Sequence, residues 1–383
     1  MPLDHAATTT RTTSVHIAIA CGGTAGHVYP GLAVASAWQR MAPGTDIFFI
    51  GTADGFEARL VPQHGHRLVT VPAAPYARTG AAGKARAVAA TVEGVLAARR
   101  LLRSAGVDLV LGLGGYASLP AMLAAWTLGV PTLLHEANAV AGRANRVAGR
   151  VADGVLLAFE SAAAEFPSPG VLTGVPVREE IVRVGAAPHP LRAGDVRRVL
   201  VAGGSGGSPF LDARVPDLLS RVDARGPRIT VRHQVGVGNV ATARAAYAAV
   251  GIPADVVAYV DDMAAAYAWA DFVVTCAGAV TLAELAVAGV PALVVPLARA
   301  AFDHQTANAR AFAAVTAMPW SSEADWDPAP LAERVASVLG SEDAWLEASA
   351  TIRRAGRDDA AEAVVRACLA HVRNGAGADT RGL

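Results

Sequence analysis

The sequence predicts an α/β protein of two domains, and three observations lead to this prediction. Short runs rich in β-branched residues alternate with longer Ala, Leu and Arg stretches of helical period from Val15 onward. That alternation is typical of βα units around parallel sheets. The chain has 383 residues, more than the roughly 250 to 300 at which one core usually divides. The alternation also lapses once near the middle of the chain and then resumes.

The first series of segments fills the amino-terminal half. Its predicted strands are Val15–Ala20, Asp46–Ile50, Arg67–Val71, Asp108–Gly112, Pro131–His135 and Gly154–Ala158. Helices fill the gaps between these strands, and the longest covers about Lys84 to Ser104. This half is therefore predicted to form one parallel sheet with helices packed on it.

A hinge is predicted at Thr173–Arg178, followed by a loose stretch from Gly185 to Asp195, because Gly and Pro punctuate this region and periodicity lapses. A second series of strands follows at Val199–Ala202, Ile229–Gln234, Val256–Tyr259, Phe272–Thr275 and Ala292–Val295. Two Rossmann-like halves joined by one linker would face each other across a cleft, which is the usual place for a ligand in such folds.

Composition narrows the class of protein. The net charge is +0, so no overall field attracts nucleic acid, and we expect no nucleic-acid partner. The three cysteines, Cys21, Cys276 and Cys368, have neither zinc-site spacing nor the even number of a disulfide framework. The start of the chain lacks the basic and apolar regions of a signal peptide. The most apolar run, Leu119 to Leu134, contains two prolines and is shorter than the ~20 residues of a spanning helix.

Three glycine-rich turns follow predicted strands. They are Gly22-Gly23-Thr24-Ala25-Gly26, Gly112-Leu113-Gly114-Gly115-Tyr116 and Gly203-Gly204-Ser205-Gly206-Gly207. Glycine lets the backbone approach a ligand, and a helix N-terminus favours phosphate. A tight turn without a ligand remains the alternative for any one of them. Lys84 is the only lysine, which excludes a Walker-type phosphate site, and the glycine spacing does not fit a dinucleotide dehydrogenase.

His27 is a candidate general base. It lies near the start of a helix, which Pro30 is predicted to open, and the helix dipole there disfavours protonation of the imidazole. A neutral imidazole could accept a proton from a sugar hydroxyl near neutral pH. The alternative is that the ring caps its own helix or packs on the loop.

Nearly the whole chain, from about Val15 to about Arg366, resembles the MurG family of glycosyltransferases. The matching motifs occur in the family's order: GGTxGHxxPxLA at Gly22–Ala33, GGYxSxPxxxAA at Gly114–Ala125, HExNxxxGxxNR at His135–Arg146, TGxPVR at Thr173–Arg178, GGSxG at Gly203–Gly207, DMxxxYxxADxVxxxxGAxTxxE at Asp262–Glu284 and DHQxxNA at Asp303–Ala309. The order and number of these motifs make the resemblance far more specific than any single glycine loop.

The resemblance implies a GT-B fold of family 28, with two facing Rossmann-like domains and parallel sheets around an interdomain cleft. It implies an N-terminal tail at 1–14, an acceptor domain at 15–174, a UDP-sugar domain at 175–357, and a C-terminal helix at about 358–373 that packs back on the first domain. The implied reaction is inverting transfer of N-acetylglucosamine from its UDP donor to the 4-hydroxyl of undecaprenyl-pyrophosphoryl-N-acetylmuramoyl-pentapeptide. No metal and no cofactor are expected.

The resemblance also implies roles for particular residues. Val260 would contact uracil through its backbone, Glu284 the ribose hydroxyls, and Gln305 and Asn308 the N-acetylglucosamine. The diphosphate would lie at Ser205 and at the helix start Ala279, Val280, Thr281, Leu282 and Ala283. Thr24, Ala25, Gly26 and Tyr116 would surround the acceptor diphosphate and the donor sugar, and Asn138 would contact the reacting sugars. Arg178 would reach a diphosphate oxygen, His27 would be the base, and Glu136 is a second catalytic candidate.

From the residues alone, each assignment has a simpler alternative. Glu284 could be a solvated helix carboxylate, Gln305 and Asn308 could be caps or surface polar groups, and His135 with Glu136 could form an interdomain ion pair. The helix from Lys84 to Arg103 is basic and amphipathic, as in proteins that rest on anionic lipid, but an ordinary domain helix with a solvated face would look the same. The expected location is the cytoplasmic face of the plasma membrane, with cell-wall synthesis proteins as partners.

Four positions depart from the pattern usual in the family. Ala137 and Gly206 stand where glutamine is usual, Val175 where asparagine is usual, and Cys276 where arginine is usual. Each change removes a polar group from the predicted cleft, so a different acceptor, as in a natural-product glycosyltransferase, stays open. A UDP-sugar 2-epimerase and an inactive paralogue that binds nucleotide sugar also stay open.

Overall fold

The computed structural model describes residues 15–75, 80–187, 191, 194, 196–204, 206–298 and 303–378. It confirms the predicted fold class, because two parallel sheets, each covered by helices, face each other across a cleft. The predicted tail at 1–14 and Ser205 lie outside the described residues.

The first domain is built on a seven-stranded parallel sheet in the order β3-β2-β1-β4-β5-β6-β7. Its strands are β1 (His16–Ala20), β2 (Asp46–Gly51), β3 (Arg67–Thr70), β4 (Leu109–Gly112), β5 (Thr132–Glu136), β6 (Gly154–Leu157) and β7 (Gly170–Leu172). The sequence did not predict β7, a short edge strand whose Val171 and Leu172 are exposed. The central strand β4 is buried on both faces, as a parallel sheet between helix layers requires.

The helices of this domain are α1 (Ala25–Met41), α2 (Phe56–Gln63), α3 (Ala81–Ala105), α4 (Leu119–Leu128) and α5 (Arg143–Ala148), with a 3-10 turn at Glu160–Glu165. Helix α1 begins five residues before Pro30, so the prediction that Pro30 opens the helix was wrong. Proline has no N–H to donate to the carbonyl one turn back. Pro30 therefore leaves the carbonyl of Gly26, near the helix start, without its usual helical donor.

The linker leads through α6 (Glu179–Ala186) into the second domain, whose parallel sheet has the order β10-β9-β8-β11-β12. Its strands are β8 (Val196–Ala202), β9 (Arg228–Gln234), β10 (Ala254–Val257), β11 (Phe272–Thr275) and β12 (Ala292–Val294). Its helices are α7 (Pro209–Asp223), α8 (Val240–Ala249), α9 (Met263–Trp269), α10 (Ala279–Ala288), α11 (His304–Thr316), α12 (Pro328–Leu339) and α13 (Glu342–Arg353). Carboxyl ends of strands from both sheets face the cleft.

The chain crosses between the domains twice. After α13 it returns to the first domain as α14 (Ala360–Ala378), where Val364, Val365 and Cys368 are buried in the core beside α1. The returning segment also contacts the linker, because Arg357 Nη1 donates to the Leu172 carbonyl at 2.6 Å. The two crossings therefore lie side by side, and the first of them contains the predicted hinge.

Helix α3 packs closely on the rest of the first domain at Gly94. A Cβ built there would lie 2.0 Å from the Pro72 carbonyl oxygen, so the helix can lie at this distance only with glycine. Among the helices of the described chain, none is both long and apolar enough to cross a membrane.

Replacing Gly94 by alanine provides a test of this packing. Helix propensity alone would stabilise the protein by roughly 0.5 to 1 kcal/mol, whereas the clash with Pro72 should reverse the sign and destabilise it by about 1 to 3 kcal/mol. Urea unfolding measures the difference. An increase in the free energy of unfolding would show that α3 does not pack as described.

Candidate active site

A cavity of about 540 Å³ lies between the domains. Its wall contains the starts of α1 and α10, the loops after β5 and β10, and residues of the linker. These are the carboxyl ends of parallel strands and the helix starts that follow them, which is where α/β folds usually bind ligands. The predicted binding residues in the wall are Thr24, Ala25, Gly26, His27, Glu136, Asn138, Arg178, Val260, Ala279, Val280, Thr281, Glu284 and Gln305.

His27 lies in the first turn of α1 and faces this cavity. Its Nδ1 is 3.1 Å from the Gly22 carbonyl oxygen and 3.1 Å from Thr24 Oγ1. A carbonyl can only accept a hydrogen bond, so this contact places the ring proton on Nδ1 and leaves a lone pair on Nε2. The ring packs on the glycine turn after β4, where a Cβ at Gly115 would lie 2.9 Å from Nδ1.

The surroundings of His27 lower its pKa from the ordinary value of 6.5. Burial is the main cause, because it disfavours the imidazolium. The carboxylates of Glu136 and Glu57 act in the opposite direction, and His304 adds to the lowering. A neutral imidazole near pH 7 can accept a proton.

Glu136 organises the loop after β5. The side chain is 1% exposed; Oε1 accepts from the backbone N–H and the side-chain amide of Asn138 at 2.8 and 3.0 Å. Oε2 accepts from Gly142 N at 3.1 Å and from Asn145 Nδ2 at 2.8 Å. Four donors occupy both oxygens, so these contacts give Glu136 a positioning role. Its catalytic role stays a prediction.

Arg178 and Glu284 form a buried ion pair. Glu284 Oε1 accepts from Arg178 Nε at 3.1 Å and from Nη2 at 2.8 Å, and Tyr267 donates to Oε2 at 3.2 Å. The guanidinium also lies 4.3 Å from the ring centroid of Tyr29 on α1. Burial raises the pKa of the Glu284 carboxyl, and Arg178 and Tyr267 oppose that rise. In this structure the two groups predicted to hold ribose and diphosphate therefore hold each other.

Gln234, at the end of β9, connects two loops of the second domain. Its Nε2 donates to the Gly204 carbonyl at 2.7 Å, and its Oε1 accepts from the Val260 N–H at 2.9 Å. Val260 was predicted to contact uracil through its backbone, and its N–H is bonded to this side chain. Nearby, burial and a hydrogen bond to Tyr259 raise the pKa of Tyr29 to about 12, and that bond links α1 to the second domain.

Gln305 and Asn308 on α11 have different surroundings. Gln305 lines the cavity, and its Oε1 accepts from Leu297 N at 2.9 Å, which leaves its amide nitrogen as the end for a ligand. Asn308 is fully buried and bridges the domains. Its Oδ1 accepts from Ala139 N at 2.8 Å, and its Nδ2 donates to Asn138 Oδ1 at 3.1 Å.

Four of the predicted binding residues that the structure describes lie outside the cavity wall: Tyr116, Leu282, Ala283 and Asn308. Tyr116 lies over Gly23, where an added Cβ would be 2.8 Å from the ring. Leu282 is buried in the core of the second domain. Ala283 is partly buried between that core and the apolar contact of Ala137, Val175 and Ala279. Asn308 uses its amide for the contact between the domains.

The departures from the family pattern fall into two groups. Ala137, Val175 and Ala279 pack together in one apolar contact between the domains. Cys276 is buried in the core of the second domain, and a Cβ at Gly206 would meet open space. The lost polar groups at 137 and 175 are thus replaced by apolar packing, while position 206 is an opening beside the glycine turn.

Several wall residues were missed by sequence reasoning. They are Tyr29, Asn145, Gln234, Tyr259, Met263, Tyr267 and His304. A polar residue at the carboxyl end of a predicted strand could have identified Gln234, and Asn145 lies inside a recognised motif. Met263, Tyr267 and His304 also stand at fixed positions of recognised motifs. Tyr29 and Tyr259 have no such indication, since an isolated tyrosine is usually part of a core.

Two facing Rossmann-like domains with helix starts at a shared cleft define the class of GT-B enzymes that act on nucleotide sugars. The sequence matches the glycosyltransferase family 28 N-terminal domain over residues 17–157 and the glycosyltransferase family 28 C-terminal domain over residues 198–364. The chain belongs to glycosyltransferase family 28 and, within it, to the MurG family.

Among its relatives is a protein of Aeromonas hydrophila named "UDP-N-acetylglucosamine--N-acetylmuramyl-(pentapeptide) pyrophosphoryl-undecaprenol N-acetylglucosamine transferase", 43% identical over 91% of this chain and 95% of that protein. The crystal structure of Acinetobacter baumannii MurG superposes with a TM-score of 0.72 at 32% identity, covering 93% of this chain and 99% of that one. A UDP-GlcNAc 2-epimerase from Neisseria meningitidis shares the fold, with a TM-score of 0.67 at 12% identity, covering 93% of this chain and 99% of that one.

Glu284→Gln tests the buried ion pair. The change leaves the Arg178 cation buried without an anion, so we expect the free energy of unfolding to fall by about 3 to 5 kcal/mol. The control is Glu180→Gln, which removes the same charge from an exposed carboxylate 3.9 Å from the same guanidinium, with an expected change within about 0.5 kcal/mol. Equal losses in both variants, measured by denaturant unfolding, would contradict the assignment.

Proposed function

We propose that this protein transfers N-acetylglucosamine from UDP-N-acetylglucosamine to the 4-hydroxyl of undecaprenyl-pyrophosphoryl-N-acetylmuramoyl-pentapeptide, with inversion, in peptidoglycan synthesis. The observation that carries the proposal is a base with a free Nε2 lone pair, on the first domain, across one cavity from the helix starts of the second domain. The relatives named for this reaction, which match over more than nine tenths of the chain, support the choice of donor and acceptor.

The donor would lie against the second domain. The start of α10, at Ala279, Val280 and Thr281, lines the cavity, and its backbone N–H groups and dipole suit a diphosphate. The Gln305 amide lies in the same wall and is placed for the sugar. On binding, Glu284 and Arg178 would exchange part of their mutual contact for ribose hydroxyls and a phosphate oxygen, which a guanidinium and a carboxylate recognise well.

The acceptor would enter from the first domain, with its 4-hydroxyl beside His27. Nε2 takes the hydroxyl proton as the oxygen attacks the anomeric carbon, the bond from that carbon to UDP breaks, and the configuration inverts. The departing UDP carries the negative charge, which Arg178 and the amides at the start of α10 stabilise. Closure of the two domains would exclude water that could otherwise hydrolyse the donor.

The decisive test is transfer of labelled N-acetylglucosamine from the UDP donor to undecaprenyl-pyrophosphoryl-N-acetylmuramoyl-pentapeptide by the purified protein. We expect product with the wild type and a fall of roughly 10²- to 10⁴-fold in kcat for His27→Gln, as for loss of a general base. His64→Gln is the control, since that histidine contacts its own helix carbonyl at Leu60, and it should retain activity.

The pH dependence follows from the lowered pKa of His27. The base acts in its neutral form, so kcat/KM should fall only as the pH drops through a value below 6.5, the ordinary pKa of histidine. Tight donor binding without product would overturn the proposed acceptor. Undiminished turnover by His27→Gln would overturn the proposed base.

We also propose that the protein rests on the cytoplasmic face of the plasma membrane, where a lipid-linked acceptor lies. Val88, Val92 and Leu96 are spaced by four on α3 and are each at least half exposed, and Trp126 on α4 is exposed as well. Arg99, Arg100 and Arg103 line a hollow beside Leu96. An apolar row next to a cluster of arginines fits the interface of an anionic bilayer.

Vesicle co-sedimentation tests this surface. The wild type should bind vesicles that contain phosphatidylglycerol, more weakly at high salt, and Val92→Asp should abolish or strongly reduce binding. Leu346→Asp places the same change at an exposed leucine on α13 and should leave binding unchanged. Equal loss in both variants, or equal binding to phosphatidylcholine alone, would contradict the assignment of α3.

A further inference from the structure

We propose that Glu57 is a positioning residue for the reaction, and that it acts on His27 through the single peptide group that joins Gly22 to Gly23. The inference rests on the proposed role of His27 as the base. Glu57 lies in the first turn of α2, outside the cavity wall, and no glycine-loop motif includes it.

The two side chains bind opposite ends of the same peptide group. Glu57 Oε2 accepts from the Gly23 N–H at 3.0 Å. His27 Nδ1 lies 3.1 Å from the Gly22 carbonyl oxygen. The N–H and the C=O of this peptide bond thus connect a carboxylate to an imidazole in one continuous chain of hydrogen bonds.

Glu57 is held in this position by its own partners. The side chain is fully buried, and its Oε1 accepts from the backbone N–H of Thr52 at 2.8 Å and from Thr52 Oγ1 at 2.6 Å. The two backbone partners can only donate, so Glu57 accepts a hydrogen bond at each of its oxygens. These contacts fix the carboxylate against the peptide group between Gly22 and Gly23.

The glycines around the carboxylate leave space for it. A Cβ at Gly22 would lie 2.2 Å from Glu57 Oε1, one at Gly55 would lie 2.1 Å from Oε2, and one at Gly51 would lie 2.6 Å from Cγ. Gly22 and Gly23 also have positive φ angles of 150° and 83°. The glycine turn is therefore shaped to present one peptide group to Glu57 on one side and to His27 on the other.

The arrangement gives Glu57 two effects on the base. A carboxylate on the N–H end polarises the peptide group and makes its carbonyl a stronger acceptor, which holds the proton on Nδ1 and directs the Nε2 lone pair to the cleft. The same chain stabilises the imidazolium formed when His27 takes a proton, as the aspartate of a Ser–His–Asp triad does directly. Burial lowers the pKa of His27. The carboxylates of Glu136 and Glu57 raise this pKa, and His304 lowers it.

Glu57→Gln tests the relay. A glutamine would point its NH₂ group at a backbone N–H and remove the charge. We expect kcat to fall roughly 10- to 100-fold, as for other supporting partners of a functional histidine, with less than about a twofold change in the KM for UDP-N-acetylglucosamine. The pKa of His27, read by ¹⁵N NMR of the imidazoles and assigned by the signal missing in His27→Gln, should be lower than in the wild type.

Two variants control for lost stability. Asp271→Asn removes another fully buried carboxylate that accepts a backbone hydrogen bond, from Arg198 N at 2.8 Å in the second domain, and should destabilise the fold without moving the His27 pKa. Glu57→Asp keeps the charge and should restore much of that pKa and of kcat. An unchanged His27 pKa in Glu57→Gln, or an equal shift in Asp271→Asn, would overturn the relay.

The wild type alone gives an independent test. Its ¹⁵N shifts at high pH must show His27 with the proton on Nδ1, and a proton on Nε2 would overturn the relay even if Glu57→Gln does not fold. These spectra require no turnover. Absence of transfer to the lipid-linked acceptor would therefore defeat the proposed function while the tautomer and the pKa shift still decide the role of Glu57.

Discussion

The geometry of the cleft depends on the buried pair between Arg178 and Glu284. Arg178 belongs to the linker, Glu284 to α10 of the second domain, and the guanidinium rests on Tyr29 of the first. Three parts of the chain are thus fixed around one charged contact. Such a pair contributes little net stability, since desolvation offsets much of the attraction, but each charge would be costly alone. Its effect is to specify one arrangement of domains and linker.

The two sides of the cleft use their backbone N–H groups differently. In the first domain, the N–H groups of Gly23, Asn138 and Gly142 donate to Glu57 or Glu136. In the second domain, the start of α10 lines the cavity. Under the proposed function, carboxylates of the first domain support proton transfer to His27, and the start of α10 supports the departing diphosphate.

The sequence predicted the strands to within a few residues because most are short apolar runs between punctuating residues. It missed β7, whose few residues lie exposed at a sheet edge, and it placed the start of α1 at Pro30 because proline favours first turns. Site residues at strand ends and helix starts could be identified because their positions follow from the predicted strands and helices. The sequence could not show that the side chains of Glu136 and Asn308 are fully hydrogen-bonded within the protein, because folding determines their partners. Asn308, for example, bonds to Ala139, 169 positions away.

The departures from the family pattern bear on how the domains meet more than on the chemistry. A polar group lost alone leaves its partner unsatisfied, whereas loss of neighbouring polar groups together can be nearly neutral. Ala137 and Val175 pack together with Ala279 in one buried cluster, so the two changes form one apolar interface. That interface lies between the linker, the loop after β5 and the start of α10. His27, Arg178, Glu284 and Gln305 line the cavity, and none of these four belongs to the apolar contact. Ala279 belongs to both the cavity wall and the contact.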